Sequence, residues 1–251
     1  MSVALFVTCL VDFFRPSVGF AAVRLLQRAG CSVSVPAAQT CCGQPGFNNG
    51  DLDSARAIAK QVIRTFAPYR QVVVPSGSCG GMIRLHYPEL FRDDPVWWER
   101  ALDLSGRCRE LLEFLTEVGF DPRATVSYPG RVAYHDSCSG LRELGLSTQP
   151  RRLLTRVADL ELCELPERDN CCGFGGTFCV KYPEISRRMV DDKLDALEAS
   201  GADTLLAGDL GCLLHIAGRA RRRGLGVRVF HTAEVLAGMA DGPGIGGASG
   251  P

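Results

Sequence analysis

Apolar residues recur along this chain with two periods, and their alternation outlines an architecture. Residues 2–8 form a nearly continuous β-rich run that ends at Cys9, the pattern of a buried strand. Val18, Ala21, Ala22, Leu25 and Leu26 fall at helical spacing, and Gly30 stops that helix. Residues 31–35 alternate into a second strand closed by Pro36. The spacing then predicts a helix over Leu52–Phe66 with Asp51 as its N-cap, and a short buried strand at Val72–Val74. The series returns in the second half: strand 131–134, helix 149–157, strand 160–165, helix 184–199, strand Thr204–Ala207, and a further strand at 227–230. Strands alternating with helices predict an α/β fold of two pseudo-repeated β-α-β halves with parallel sheets. In such sheets the loops after the strands emerge on one edge, where ligands bind.

The same repeat is written in cysteine. Cys41-Cys42-Gly43 and Cys171-Cys172-Gly173 are the two adjacent pairs, each followed by glycine. Cys9 precedes the first pair by 31 intervening residues and Cys138 precedes the second by 32; Cys79 and Cys212 follow after 36 and 39. Gly46 and Gly176 match after the pairs, and Gly77-Ser78-Cys79 answers Leu210-Gly211-Cys212. Each of these eight cysteines falls just past a predicted strand end, so the fold would bring four thiols per half to one rim. The expected organisation is a first cysteine-rich repeat at 1–86, a connector at 87–129 containing Trp97 and Trp98, a second repeat at 130–236, and a Gly/Pro-rich disordered tail at 237–251.

Composition narrows the chemistry. The 28 basic and 28 acidic side chains of the 251 residues cancel, which gives no electrostatic case for nucleic acid or a membrane surface. The basic run Arg219 to Arg223 is expected to be a solvated helix end. The apolar start lacks the basic segment and cleavage site of a signal peptide, and no stretch reaches the ~18 apolar residues of a membrane helix. The expectation is a soluble, cytoplasmic protein, in which 12 cysteines point to metal or redox chemistry rather than to disulfides.

Four thiolates can complete the shell of a [4Fe–4S] cluster or of one tetrahedral zinc. Adjacent cysteines reach a single ion with difficulty but can bind different irons of a larger cluster, and the following glycine lets the backbone approach. The candidate ligands are therefore Cys9, Cys41, Cys42 and Cys79, and Cys138, Cys171, Cys172 and Cys212. His215 stands where a C-x-x-C motif would place its second sulfur and is a possible extra ligand; Met82 holds the matching position in the first half. Cys31 and Cys163 are expected in the core, Cys108 has no partner in register, and Cys179 has no counterpart. His135 and His231 are expected to be structural. The G-x-G-x-x-G of Gly242, Gly244 and Gly247 lacks the flanking strand and helix of a dinucleotide site.

These modules resemble the cysteine-rich, or CCG, domain, found in the heterodisulfide reductase B subunit, the glycolate oxidase iron–sulfur subunit and the lactate-utilization protein A family. The resemblance to the last is carried by Thr40-Cys41-Cys42-Gly43-Gln44-Pro45, Pro75-Ser76-Gly77-Ser78-Cys79, Tyr134-His135-Asp136-Ser137-Cys138, Cys171-Cys172-Gly173-Phe174-Gly175-Gly176-Thr177-Phe178 and Val190-Asp191-Asp192-Lys193. It implies an electron-carrying subunit, with up to two clusters, of a complex oxidising L-lactate to pyruvate. The implied partners are a ferredoxin-like iron–sulfur protein and a further small subunit. The reductase subunit ends each module in C-x-x-C; Met82 and His215 here favour an ordinary [4Fe–4S] cluster over a heterodisulfide-reducing one. Ser139 stands where the lactate family often has His. A cluster-based disulfide reductase and a zinc-stabilised binding module are the alternatives.

Overall fold

Val72, Val73 and Val74 have no exposed surface, the environment of a central strand in a parallel sheet. In the computed structural model, which describes residues 1–123 and 126–247, they form β3. β3 lies between β1 (Ser2–Leu5) and β4 (Cys108–Glu110), with β2 (Ser32–Ser34) outside β1, all parallel in the order β2-β1-β3-β4. The second half repeats this with β5 (Ser127–Tyr134), β6 (Ala158–Cys163), β7 (Thr204–Ala207) and β8 (Arg228–His231) in the order β6-β5-β7-β8, again all parallel. Register repeats too: Phe6 N donates to Val73 O at 2.9 Å, as His135 N donates to Leu206 O at 2.8 Å.

Alternation along the strands divides the core. Leu5 and Val73 from the first sheet join Val132, Leu206 and Phe230 from the second in one shared cluster. Ala4, Phe6, Val72 and Val74 face the opposite side, under the helix Leu52–Phe66. Ala133, Leu205, Ala207 and Val229 do the same in the second half, under the helix Pro183–Ser200. The strand period of two thus builds one core between the halves and one outside each.

Two segments differ from the sequence-based expectation. The connector carries a strand: Cys108, Arg109 and Glu110 pair with Val72, Val73 and Val74, so the first sheet reaches past residue 86. Three residues, two of them charged, leave no apolar alternation to detect. The expected disordered tail folds back over residues 237–247: Ile245 is buried and its N–H donates to Val229 O at 2.7 Å. A single apolar anchor among glycines does not register in composition. Residues 248–251 of that tail lie outside the described residues, as do 124 and 125 of the connector.

Candidate metal centre

β1 ends by turning into the short helix Cys9–Phe14, whose first turn is capped by Thr8 accepting from Val11 N. This places Cys9 Sγ 3.6 Å from Cys41 Sγ. The loop after β2 presents Cys41 and Cys42, and Gly43 follows at φ +85°, where its N–H donates to Cys41 Sγ at 3.4 Å. Only glycine adopts that backbone cheaply. Tyr87 Oη donates to Cys42 O at 2.8 Å and pins the loop from beneath. Ser76 caps the turn Gly77–Gly81, setting Cys79 Sγ 3.3 Å from Cys42 Sγ. The four sulfurs therefore form a chain of contacts from Cys9 to Cys79, and all are free thiols.

The second half rebuilds this set. Cys138 and Cys172 lie close enough to Cys171 to shift its ionisation, Cys172 Sγ lies within 4.8 Å of Cys212 Sγ, and Gly173, at φ +82°, donates its N–H to Cys171 Sγ at 3.3 Å. Asp209 caps the helix Leu210–Arg222, whose first turn carries Cys212. All eight candidate cysteines are thus gathered, four and four. Cys9, Cys41, Cys42, Cys79, Cys138 and Cys212 line a single cavity of about 290 Å³ between the halves.

That cavity is braced across the halves by the caps themselves. Asp209 Oδ2 accepts from Ser78 N at 2.9 Å and from Ser76 Oγ at 3.1 Å, so the second half's cap also serves the first half's cysteine turn. Gly77 packs so close to Gly140 and Ser137 that a Cβ there would lie 3.0 Å from both. π-helical turns follow Cys79 (Met82–His86) and Cys138 (Ser139–Glu143), and His86 Nε2 meets Glu143 Oε1 at 3.4 Å across them. Such turns concentrate at functional sites.

Crowding governs the protonation of the sulfurs. Hydrogen bonds from Cys42 and Cys9 pull Cys41 down to about 2, and those from Cys138 and Cys172 do the same for Cys171, also to about 2. The partners move the other way: bonding to Cys41 raises Cys9 and Cys42, and bonding to Cys171 raises Cys138 and Cys172. One thiolate per set forms readily and the next are resisted by its charge. Ionising all four needs a cationic centre among them, and soft thiolates select zinc, copper(I) or iron–sulfur groups. The donor set is consistent with a metal cluster.

His135 sits where sequence reasoning placed only a structural residue. It has no exposed surface, and its ligating nitrogen lies with Cys172 Sγ and Cys212 Sγ inside a group whose members are within 4.8 Å of one another. Neither ring nitrogen has a hydrogen-bond partner among the described residues. Burial drives its pKa down to about 3, so the ring is neutral. The available signal was a polar residue in register with Phe6, at the end of an otherwise apolar strand. His215 points elsewhere: its Nε2 meets Ser186 Oγ at 3.2 Å, and it lines a separate hollow with Cys179 and Arg219. Cys179 Sγ donates to Gly176 O at 3.2 Å. Cys31 is buried, as expected of a core residue, and Cys108 is buried too, whereas Cys163, also expected in the core, is half-exposed on the edge strand β6.

A family model described as "Cysteine-rich domain" matches residues 3–84 and 132–217, the two halves that carry the cysteine sets. Over 236 residues the chain is 49% identical to lactate utilization protein A of Geobacillus thermodenitrificans, covering 94% of this chain and 98% of that one. The chain belongs to the lactate utilization protein A family. The Bacillus subtilis lactate utilization protein A is 46% identical, with 94% of this chain and 99% of that one covered. Among solved structures, a hypothetical protein from Helicobacter pylori superposes with a TM-score of 0.66 at 11% identity, over 96% of this chain and 49% of that one, which is a likeness of fold. Among the described residues no helix is long and apolar enough to cross a membrane.

Proposed function

We propose that this chain is an iron–sulfur electron-transfer subunit acting in the oxidation of L-lactate to pyruvate. Cys9, Cys41, Cys42 and Cys79 would hold one cluster, and Cys138, Cys171, Cys172 and Cys212 the other. The observation that carries this reading is the gathering of two cysteine sets from distant stretches of sequence, with six of the eight cysteines lining one cavity. Adjacent cysteines in each set suit a multi-iron group better than one tetrahedral ion. Lactate enters through the relatives, which are lactate utilization proteins. Converting lactate to pyruvate releases two electrons and two protons, and two one-electron centres can carry that pair onward. The substrate site and the first electron acceptor would then lie on partner subunits, for which a ferredoxin-like iron–sulfur protein and a further small subunit are proposed.

The test is anaerobic purification followed by iron and sulfide analysis with EPR. We expect about eight irons per chain if both clusters are cubane. Cys42→Ser and Cys172→Ser should each remove one centre and leave the other. Stoichiometric zinc without iron would sink the reading. A second reading, reduction of a disulfide at the clusters, is favoured by the opening of both cysteine sets onto the same cavity. Turnover of a disulfide by the isolated, iron-loaded chain would support it, and activity seen only with partner subunits would oppose it.

A further inference from the structure

Beneath each cysteine set lie two side chains that do not line the shared cavity, and they differ between the halves. Phe6 packs in the cluster that contains Cys42 and Cys79; His135, at the same register, stands beside Cys172 and Cys212. The helices that follow the Cys-Cys loops show a second difference. A Cβ on Gly43 would meet Ala55 and Ile58, and one on Gly173 would meet Ser186 and Met189, which aligns the two helices at an offset of 131. That offset sets Lys193 against Val62, both buried. The Lys193 ammonium donates to Glu167 O at 3.4 Å and Arg168 O at 3.3 Å, and its charge acts on Cys172 and Cys171. The first set therefore rests on a phenyl ring and an isopropyl group, the second on an imidazole and a buried cation.

We propose that His135 and Lys193 make the second cysteine set the higher-potential centre, so that electrons pass from the first set to the second. This rests on the iron–sulfur reading above. Adding an electron makes a cluster more negative, and an N–H donor or a cation close to its thiolates stabilises that form. One ring nitrogen of His135 lies within 4.8 Å of Cys172 Sγ and Cys212 Sγ, and the neutral tautomer protonated there carries its N–H beside those two sulfurs. Phe6 and Val62 can supply neither term. The step is a one-electron exchange: the reduced first centre is oxidised, the oxidised second centre is reduced, and no bond is broken. Both residues act through the ligands and are positioning residues.

The experiment is a redox titration followed by EPR on the full-length, iron-loaded chain, with Cys42→Ser and Cys172→Ser assigning each signal to its half. In the parent, the second centre should titrate at the higher potential. His135→Phe and Lys193→Met should each lower that midpoint, by at least 59 mV for His135→Phe, a tenfold change in the ratio of reduced to oxidised centre. The first centre's midpoint should not move. His135→Gln, which retains an N–H, should recover part of the shift. Unchanged midpoints in both variants with iron content intact would overturn the inference and leave the proposed function standing. So would loss of iron from His135→Phe that His135→Gln fails to restore, since the ring would then be packing only. A parent chain without iron would overturn both.

Discussion

Gly43 and Gly173 occupy equivalent places after the cysteine pairs, yet they are not equally constrained. Both hold φ near +80°, which disfavours any side chain. At Gly173 an added Cβ would also lie 2.8 Å from Ser186 O and 3.0 Å from Met189 Cβ, whereas at Gly43 the nearest atom is Ile58 Cγ2 at 3.3 Å. Gly43→Ala should therefore cost about 1–2 kcal/mol, mostly backbone strain, and Gly173→Ala about 2–4 kcal/mol, because the loop must also move off its helix. Urea denaturation compares the two directly. Metal analysis should show the Gly173 variant losing the second centre while keeping the first; equal effects at both positions would contradict the packing difference. At this scale the ligand candidates were legible, because eight cysteines in a repeated order need no coordinates to be noticed. His135 was not, since its meaning comes from lying under Cys172 and Cys212, 37 and 77 positions away. His215, three positions after Cys212, sits on the helix Leu210–Arg222 at a point facing Ser186.

The helix Leu111–Glu117 shows how one element carries a charge into the interior. Glu110 is its N-cap, accepting from Leu112 N at 2.6 Å and Glu113 N at 3.2 Å, and it is buried against Gly208 of the second half. Burial outweighs those two bonds and raises its pKa to about 8. A carboxyl whose folded pKa is raised binds its proton more tightly in the folded chain, so its contribution is complete below the unfolded pKa of about 4.5. It is lost as pH rises from there through about 8. Thermal or urea unfolding of the parent should accordingly weaken across that window, by on the order of 3 kcal/mol at pH 7 relative to pH 4.5 from this group alone. Glu110→Gln keeps an acceptor for the helix and should flatten the slope; an unchanged slope would show that another group sets it. The long helices were expected from their periodicity, as were the β-branched strands. β4, which delivers Glu110 to the interface, was hidden because a three-residue strand gives no period to count.

The two halves pack as one body because each lends residues to the other. Leu5, Ala22 and Leu25 share a buried cluster with Val132, Phe230 and Leu236, and the helix Thr232–Leu236 packs on the helix Pro16–Arg28. Arg15, at the start of that helix, places Nε 2.8 Å from Glu234 Oε1, a carboxylate with no solvent exposure. The same guanidinium donates to Pro243 O at 3.1 Å, which ties the segment after the helix Thr232–Leu236 to the first half. Ser17 Oγ and His231 N also bond Glu234, at 2.7 and 3.0 Å. Removing the arginine would leave a buried carboxylate with hydrogen bonds but no counter-charge, which costs about 2–3 kcal/mol given those remaining donors. Arg15→Ala should therefore lower stability by that amount, while Arg15→Lys, which keeps the charge but loses the planar fork, should recover about half. Because the ion pair joins the two halves, both variants should still unfold in one transition, with near-ultraviolet circular dichroism and cluster absorbance changing together. Loss of the second centre's signal ahead of the first would instead mean that the halves fold separately, and that the shared cavity is an interface between two domains rather than the interior of one.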